Sequence, residues 1–118
     1  MGKNISVDGR VVWDPALRVA QLFQAQLAAV EEVLGVASGV DEPIDDEIEI
    51  DWPVFEAFVR HLLETLATTG HPVMHLLLEG LAETCVGVHH AATDSRIDAP
   101  TAVDDLVDRA IKLPFRPS

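Results

Sequence analysis

Apolar and polar residues alternate near the N-terminus of the 118-residue chain. The dipeptide Asp8-Gly9 interrupts the alternation, and it suits a type I′ turn, whose two central residues both need positive φ. The alternating apolar residues are Ile5, Val7, Val11 and Trp13. The sequence therefore predicts a β-hairpin within residues 1–13.

The next segment has apolar residues at steps of three and four, the spacing that places side chains on one face of a helix. These residues are Leu17, Ala20, Phe23, Leu27, Val30 and Leu34. Asp14 fits the N-cap, Pro15 the first helical position and Gly35 the C-terminal stop, so a first helix is predicted over residues 14–34. Three further apolar residues widen its apolar face, namely Val19, Leu22 and Val33.

An acidic connection, residues 36–50, follows the first predicted helix. Its last residues, Ile48-Glu49-Ile50, alternate and predict a short strand with isoleucines inward and acids outward. An isolated hairpin is marginal in water, so we expect this third strand to pair with the N-terminal hairpin. The residues from Asp41 to Asp46 receive no predicted secondary structure.

Two long helices are predicted in the middle of the chain. Asp51 is expected to cap the second helix, which runs to about Thr69 and ends at Gly70. Pro72 begins the third helix, which runs to about Ala92, and the short link makes the two helices antiparallel neighbours. The predicted apolar face of the third helix includes Val73, Leu77, Leu81 and Val88.

The C-terminal part predicts one more helix. Thr101 with Asp104 resembles a capping pair for a helix from Ala102 to about Lys112, and prolines prevent residues 113–118 from continuing it. The predicted fold is a mostly α, four-helix domain with a small N-terminal β-hairpin that a third short strand joins. We predict a single domain over residues 1–118, with a helical core of residues 14–112 and a tail of residues 113–118.

The first and third predicted helices are unusually apolar for a domain of this size. Either they lie at the centre of the domain, or another chain covers part of their surface. Large apolar surfaces usually mark interfaces, and symmetric dimers are the commonest oligomers. We therefore expect a homodimer.

The charge is concentrated in one region of the chain. Between Arg18 and Arg60 there are ten acids and no Lys or Arg, in a chain whose formal net charge is -12. Seven of these acids lie between Asp41 and Asp51. Such a field favours basic partners and disfavours nucleic acids and anionic membrane surfaces.

The acidic run 41–51 has two interpretations, and a calcium loop of the EF-hand type is not one of them. That loop needs Gly at its sixth position and Glu at its twelfth, where this chain has Asp46 and Trp52. The acids either form a solvated face that discourages edge-to-edge aggregation or dock a basic protein. The predicted docking residues are Asp41, Glu42, Asp45, Asp46, Glu47 and Glu49.

The single cysteine, Cys85, excludes an intramolecular disulfide and favours a reducing, cytoplasmic compartment. Residues 1–10 lack the apolar core of a signal peptide, and no uncharged run is long enough to span a bilayer. Cys85 lies in the middle of a predicted helix among acids, which argues against a lowered thiol pKa. A buried structural role is therefore expected, rather than that of a nucleophile with His89 as its base.

Histidine and glutamate recur at four-residue steps along the third predicted helix. Imidazole and carboxylate groups on one helix face could ligate a divalent cation. The candidate ligands are His71, His75, Glu79 and His90. No recognisable third-ligand motif accompanies them, His71 also fits a helix N-cap, and a polar stripe facing water explains the spacing equally well. No cofactor is predicted.

Several short motifs resemble a small uncharacterised domain family of actinobacteria. The resemblance covers about residues 10–92 and rests on Val11-Val12-Trp13-Asp14-Pro15, Arg18–Phe23, Gly35–Gly39, Asp51–Leu63 and His71-Pro72-Val73. These motifs are helix-capping and packing signals, and the family has no assigned activity. The resemblance therefore implies a bacterial, cytoplasmic setting and no particular chemistry.

The chain contains no motif of a nucleotide-binding, hydrolytic or dithiol site. Our leading hypothesis is a non-enzymatic, acidic helical protein that binds a basic partner protein, as an immunity protein or antitoxin does, or as a dedicated chaperone does. One alternative is a small metal- or ligand-binding enzyme that uses the histidine and glutamate stripe of the third helix. A further alternative is a self-associating structural component.

Overall fold

The computed structural model of the protein describes residues 2–115. Its elements in chain order are β1 (Asn4–Val7), β2 (Arg10–Trp13), α1 (Leu17–Leu34), β3 (Glu47–Glu49), α2 (Trp52–Thr68), α3 (Pro72–Thr93), a 3-10 turn (Thr101–Val103) and α4 (Asp104–Ala110). Within this part of the chain, four helices and a small three-stranded sheet confirm the predicted mostly α fold.

The sheet has the strand order β2-β1-β3. β1 and β2 are antiparallel, and the turn residues Asp8 and Gly9 have φ of 51° and 79°, which confirms the predicted type I′ turn. β3 runs parallel to β1 and places Ile48 beside Ile5. The third strand therefore joins the N-terminal hairpin as predicted, because its isoleucine completes the buried face of the sheet.

The core lies where this sheet meets the helices. α2 packs on α3, and α3 packs on α4 and β2. The largest fully buried side chains include Phe55 and Phe58 of α2, Val86 and Val88 of α3, and Ile5 and Ile48 of the sheet. Burying each such side chain contributes roughly 1.5–3 kcal/mol, so these contacts dominate the stability of the fold.

The predicted start of α1 is wrong. The helix begins at Leu17, with Ala16 as the N-cap residue, and the Asp14-Pro15 dipeptide precedes it. The Pro15 carbonyl accepts a hydrogen bond from the Lys3 amide at 3.1 Å, so this segment continues the extended pairing of the N-terminus. Tertiary pairing has therefore overridden a good local capping signal.

Two other helix ends differ from the prediction. α2 ends at Thr68, with Thr69 in an extended conformation, so Gly70 does not stop it. The last helix is shorter than predicted: it starts as the 3-10 turn Thr101–Val103 and its α-helical part ends at Ala110. Thr101 is not the N-cap that the sequence predicted: it lies inside the 3-10 turn, where the Val103 amide donates to the Pro100 carbonyl at 3.0 Å, and Val103 is the N-cap of α4.

The segment that follows α4 is not wholly a tail. Phe115 is only 9% exposed and packs edge-on against Trp13, with ring centroids 4.8 Å apart. Trp13 in turn contacts Phe23 of α1, so the three rings connect the C-terminal segment to the sheet and α1. The predicted tail includes residues 116–118, which lie outside the described residues.

Several apolar residues of α1 and α3 that the sequence placed on the core-facing stripes face outward instead. The exposed fractions of Leu22 and Val33 are 60% and 70%, and those of Val73 and Leu77 are 55% and 74%. The buried residues of α1 are Ala20, Phe23 and Leu27, which occupy the opposite side of the helix. The two helices therefore carry apolar surface that the described part of the chain does not cover.

Candidate functional site: an acidic hairpin

The acidic run folds as a second β-hairpin, which we call the acidic hairpin and define as residues 39–51. Its turn residues Asp45 and Asp46 have φ of 51° and 66°. The flanking residues Ile44 and Glu47 exchange two backbone hydrogen bonds of 2.8 and 2.9 Å. Asp tolerates the left-handed region better than most residues, which lets the Asp45-Asp46 pair make a two-residue turn without glycine.

The base of the acidic hairpin is closed by backbone contacts. The Asp51 amide donates to the Gly39 carbonyl at 2.7 Å, and the Asp41 amide donates to the Glu49 carbonyl at 3.0 Å. Gly39 has φ of 76°, and a Cβ there would lie 2.7 Å from the Asp51 carbonyl oxygen. Only glycine fits this position without a backbone shift, so the residue sets the approach of the two arms.

The alternation of the acidic hairpin is the one that the sequence predicts. Ile48 and Ile50 are 0% and 4% exposed, whereas Glu47 and Glu49 face solvent. The hairpin is also joined to β1, since the Ile50 amide donates to the Ser6 carbonyl at 2.9 Å. All six predicted docking residues are exposed, and they are Asp41, Glu42, Asp45, Asp46, Glu47 and Glu49.

The residues from Asp41 to Asp46, for which the sequence predicted no secondary structure, have a defined place in the fold. They form the outer arm and turn of the acidic hairpin, and this arm pairs with the outer edge of β3. The sequence gives little sign of the pairing, because Pro43 and a run of acids are poor strand formers. The consequence is that the carboxylates are held on a fixed frame rather than on a mobile loop.

One carboxylate of the acidic hairpin is neutralised within the protein. Asp46 accepts a hydrogen bond from Lys3 Nζ at 2.8 Å, and this hydrogen bond, with the charge of Lys3, lowers the Asp46 pKa. Among the described residues, the side chains of Asp41, Glu42, Asp45, Glu47 and Glu49 form neither an ion pair nor a hydrogen bond. The surface is therefore strongly negative and largely uncompensated.

The histidine and glutamate stripe of α3 is engaged in other contacts. His71 is the N-cap of α3, and its Nδ1 accepts a hydrogen bond from the Met74 amide at 3.2 Å. His75 Nδ1 lies 3.6 Å from a Glu79 carboxylate oxygen, and Arg109 of α4 binds Glu79 at 2.9 Å. His90 lies in the last turn of α3, where it is half-buried.

No group of three or more His, Cys, Asp or Glu side chains within residues 2–115 is placed to hold a metal ion. Arg109 also binds Glu83 at 3.0 Å, so the guanidinium group of Arg109 already pairs with the carboxylates of the stripe. The metal site on His71, His75, Glu79 and His90 stays a prediction, and the geometry lends it no support.

A partly buried polar contact that the sequence did not indicate joins α2 to α3. The His89 side chain is 4% exposed, its Nε2 lies 3.0 Å from a Glu56 carboxylate oxygen, and its ring lies 5.2 Å from that of Trp52. A carboxylate only accepts, so Nε2 carries the proton, and Nδ1 is buried without a partner among the described residues. The two residues are 33 positions apart, and only the fold brings them together.

The cysteine has the structural role that the sequence predicted. Cys85 is 0% exposed in the centre of α3, and burial raises the pKa of its thiol. A thiol in this environment stays protonated and unreactive, because the charged form loses its hydration.

The fold and the site together define a small, mostly α domain that presents an acidic β-hairpin. The chain belongs to the family of unknown function DUF6086, which it matches over residues 1–113. No curated protein and no solved structure matches the chain. Within residues 2–115, no helix is long and apolar enough to cross a membrane.

Proposed function

We propose that this protein is a non-enzymatic binding protein whose acidic hairpin docks a basic partner protein. The observation that carries the proposal is the set of exposed carboxylates, without partners among the described residues, that the backbone of the acidic hairpin holds in place. An immunity protein or antitoxin that neutralises a basic toxin is the most concrete form of this function. A dedicated chaperone for a basic protein is the other form.

The geometry favours binding for two reasons. The carboxylates have the same sign and lie within one hairpin, so their fields add, and such fields raise association rates by roughly 10- to 1,000-fold. The hairpin is also ordered before the partner arrives, since its turn and both arms are fixed by backbone hydrogen bonds. Binding therefore requires less loss of conformational entropy than it would from a flexible acidic loop.

The same charge limits the partners that we propose. A nucleic-acid backbone or an anionic membrane surface would be repelled by the acidic hairpin, whereas lysine and arginine side chains would be attracted. We place the protein in the cytoplasm, a location that the single buried thiol of Cys85 and the lack of any disulfide support.

The test compares two variants that each lose five negative charges. The hairpin variant carries Asp41→Asn, Glu42→Gln, Asp45→Asn, Glu47→Gln and Glu49→Gln, and it keeps Asp46, which Lys3 already binds. The control variant neutralises five exposed acids outside the hairpin: Asp8→Asn, Asp14→Asn, Glu64→Gln, Asp98→Asn and Asp105→Asn. Any difference between the two variants then reports the location of the charge rather than its total.

Each immobilised protein is exposed to an extract of the source cells, and the retained proteins are identified by mass spectrometry. We expect the wild-type protein and the control variant to retain a basic protein that the hairpin variant does not retain. Added salt should elute this basic protein. With that partner purified, the hairpin variant should associate at least about tenfold more slowly at low ionic strength. A partner that binds all three proteins equally, or no protein that distinguishes them, would refute the proposal.

A further inference from the structure

The outward face of α1 has the residue spacing of a helix–helix seam. Its exposed residues recur at steps of four and three, the pattern by which two helices interlock along their length. The residues of this seam are Arg18, Leu22, Ala25, Ala29 and Glu32. The buried side of α1 already contacts the core through Phe23 and Leu27, so residues 2–115 leave the seam without a partner.

An apolar groove adjoins the seam. It lies between α1 and α3 and has a volume of about 460 Å³. Ala29 and Val33 line it from α1, and Met74 and Leu77 line it from α3. Among the described residues no charged side chain lines it, although the chain has a net charge of -12. Two copies can therefore approach each other at the groove without bringing two carboxylates together.

The charged residues of the seam indicate that a second copy of the protein covers it. Arg18 and Glu32 lie seven residues on either side of Ala25. If a second α1 crosses antiparallel at Ala25, Arg18 of each copy meets Glu32 of the other. Neither side chain has an ion-pair partner among the described residues, so both are available for this contact. An unrelated partner would need to reproduce the same alternation of charge, whereas a second copy has it by symmetry.

The other pairs in this arrangement also fit. Ala25 meets its own copy, and its small side chain allows the helix axes to approach to about 8 Å. Leu17, which is 40% exposed, meets Val33 of the partner copy at the edge of the groove. The N-terminal half of each α1 then covers the groove of the other copy, including Leu77.

The exposed apolar area of the two helices approaches that of one side of a stable dimer interface. The exposed large apolar residues on the two helices are Leu17, Val19, Leu22, Val33, Val73, Leu76 and Leu77. Together they offer roughly 400 Å² of apolar surface per copy, at about 100 Å² for a fully exposed side chain. A standard interface buries about 800 Å² per partner, of which somewhat more than half is apolar. Complete burial of all seven side chains would therefore supply most of the apolar share of such an interface.

We propose that the protein is a symmetric homodimer in which two antiparallel α1 helices cross at Ala25 and the α1/α3 groove of each copy receives α1 of the other. The inference is independent of the proposed function, since the acidic hairpin takes no part in the contact. It adds a consequence to that function: each particle carries two acidic hairpins, which permits bivalent binding to a partner with two sites.

The first experiment is sedimentation velocity over a range of protein concentrations. We expect a dimer for wild type and a monomer for Leu77→Asp and for Val33→Asp. The matched control is Ile44→Asp, because Ile44 and Leu77 are both 74% exposed and only Leu77 lies in the groove. The control should remain a dimer, and circular dichroism should show all three variants to be folded. A monomeric wild type, or loss of the dimer in the control alone, would overturn the proposal.

The second experiment tests the symmetry of the contact. Arg18→Glu alone and Glu32→Arg alone should each raise the dimer dissociation constant by about tenfold, since each places like charges together at both ends of the seam. The double variant should return to the wild-type value, because the pairs are restored with their signs exchanged. A double variant weaker than either single variant would overturn the antiparallel register.

The third experiment is a cross-link at the symmetry axis. Ala25→Cys should form an intermolecular disulfide on mild oxidation, because the two introduced thiols would face each other across the axis, whereas Gln21→Cys should not. The buried Cys85 serves as the internal control and should not cross-link in wild type. Equal cross-linking at both positions would contradict the proposed crossing point. Since the monomeric groove variants keep the acidic hairpin intact, failure of this proposal is separable from failure of the proposed function.

Discussion

Gly87 allows the C-terminal segment to dock, and replacing it by alanine tests how the fold is closed. A Cβ at Gly87 would lie 2.1 Å from Cε2 of Phe115 and 2.6 Å from its Cδ2. Real Cβ atoms do not approach other carbons so closely, so the ring has to leave its site. We therefore expect Gly87→Ala to displace Phe115 from the surface of α3 and from its contact with Trp13.

Two opposing effects set the magnitude. Alanine in place of glycine inside a helix stabilises it by about 1 kcal/mol. Displacement of a buried phenylalanine costs about 3 kcal/mol, the lower end of the range for Phe→Ala, because Phe115 retains 9% exposure. The net loss is about 2 kcal/mol, which corresponds to a decrease in Tm of roughly 8 °C for a domain of this size.

Urea denaturation followed by circular dichroism measures these differences. In a Phe115→Ala background the clash is absent, so Gly87→Ala should then stabilise the protein by about 1 kcal/mol. The control is Gly80→Ala in the same helix, where nothing lies within 4 Å of an added Cβ, and it should stabilise wild type by a similar amount. If Gly87→Ala destabilises both backgrounds equally, Phe115 does not pack on Gly87 and the reasoning is wrong.

Three further predictions concern the acidic hairpin. Gly39→Ala should lower the free energy of unfolding by about 3 kcal/mol in urea denaturation, because the added Cβ meets both a positive φ and a backbone clash. The control Gly9→Ala also has a positive φ but meets nothing within 4 Å, so it should lower the free energy of unfolding by only about 1 kcal/mol. Asp46→Asn should be less stable than wild type at neutral pH, because the ionised Asp46 carboxylate binds Lys3 in the folded protein. A carboxyl group whose pKa is lowered by folding stabilises the fold only while it is ionised, so the difference should vanish as the pH falls through the lowered pKa of Asp46. Thermal melts across about pH 2–7 measure this difference. The five-charge hairpin variant should melt above both wild type and its control variant at low ionic strength, and salt should reduce the difference, because it removes repulsion within one hairpin.

Local sequence patterns predicted correctly those elements for which the tertiary contacts favour the same backbone conformation as the local residues. The Asp8-Gly9 turn formed as predicted, because both residues accept the positive φ that the turn requires. The capping signal at Asp14-Pro15 failed, because the Pro15 carbonyl pairs with the Lys3 amide and keeps the chain extended. A signal within one segment cannot reveal a competing partner that lies elsewhere in the chain.

The packing of Phe115 against α3 could not be predicted from the sequence, again because its contact partner is distant in the chain. A Leu-Pro-Phe segment after a helix predicts a chain end, and nothing local connects it with a glycine 28 positions earlier. Gly87 in a predicted helix is a weak signal of close approach. Only the fold brings α3 next to the C-terminal segment. It shows that the absence of a side chain at Gly87 makes room for the ring of Phe115.

The candidate site was half predictable. The alternation at Ile48-Glu49-Ile50 correctly placed isoleucines inward and acids outward, because a strand has a period of two. The outer arm was missed, because its pairing with β3 depends on Gly39 and on an Asp45-Asp46 turn that has no glycine. The exposure of the six docking residues followed from their charge, but their rigid presentation did not.

The acidic hairpin is difficult to explain by the stability of the free protein. Its seven carboxylates repel one another, and Asp46 is the one that a cation neutralises among the described residues. Charged side chains can protect an edge strand from aggregation, but this protection does not require that all of them have the same sign. A basic partner would relieve the repulsion on binding, and the gain would be largest where the carboxylates are already ordered. Under the proposed function, the hairpin would give up stability of the free protein for affinity, as a preformed binding surface does.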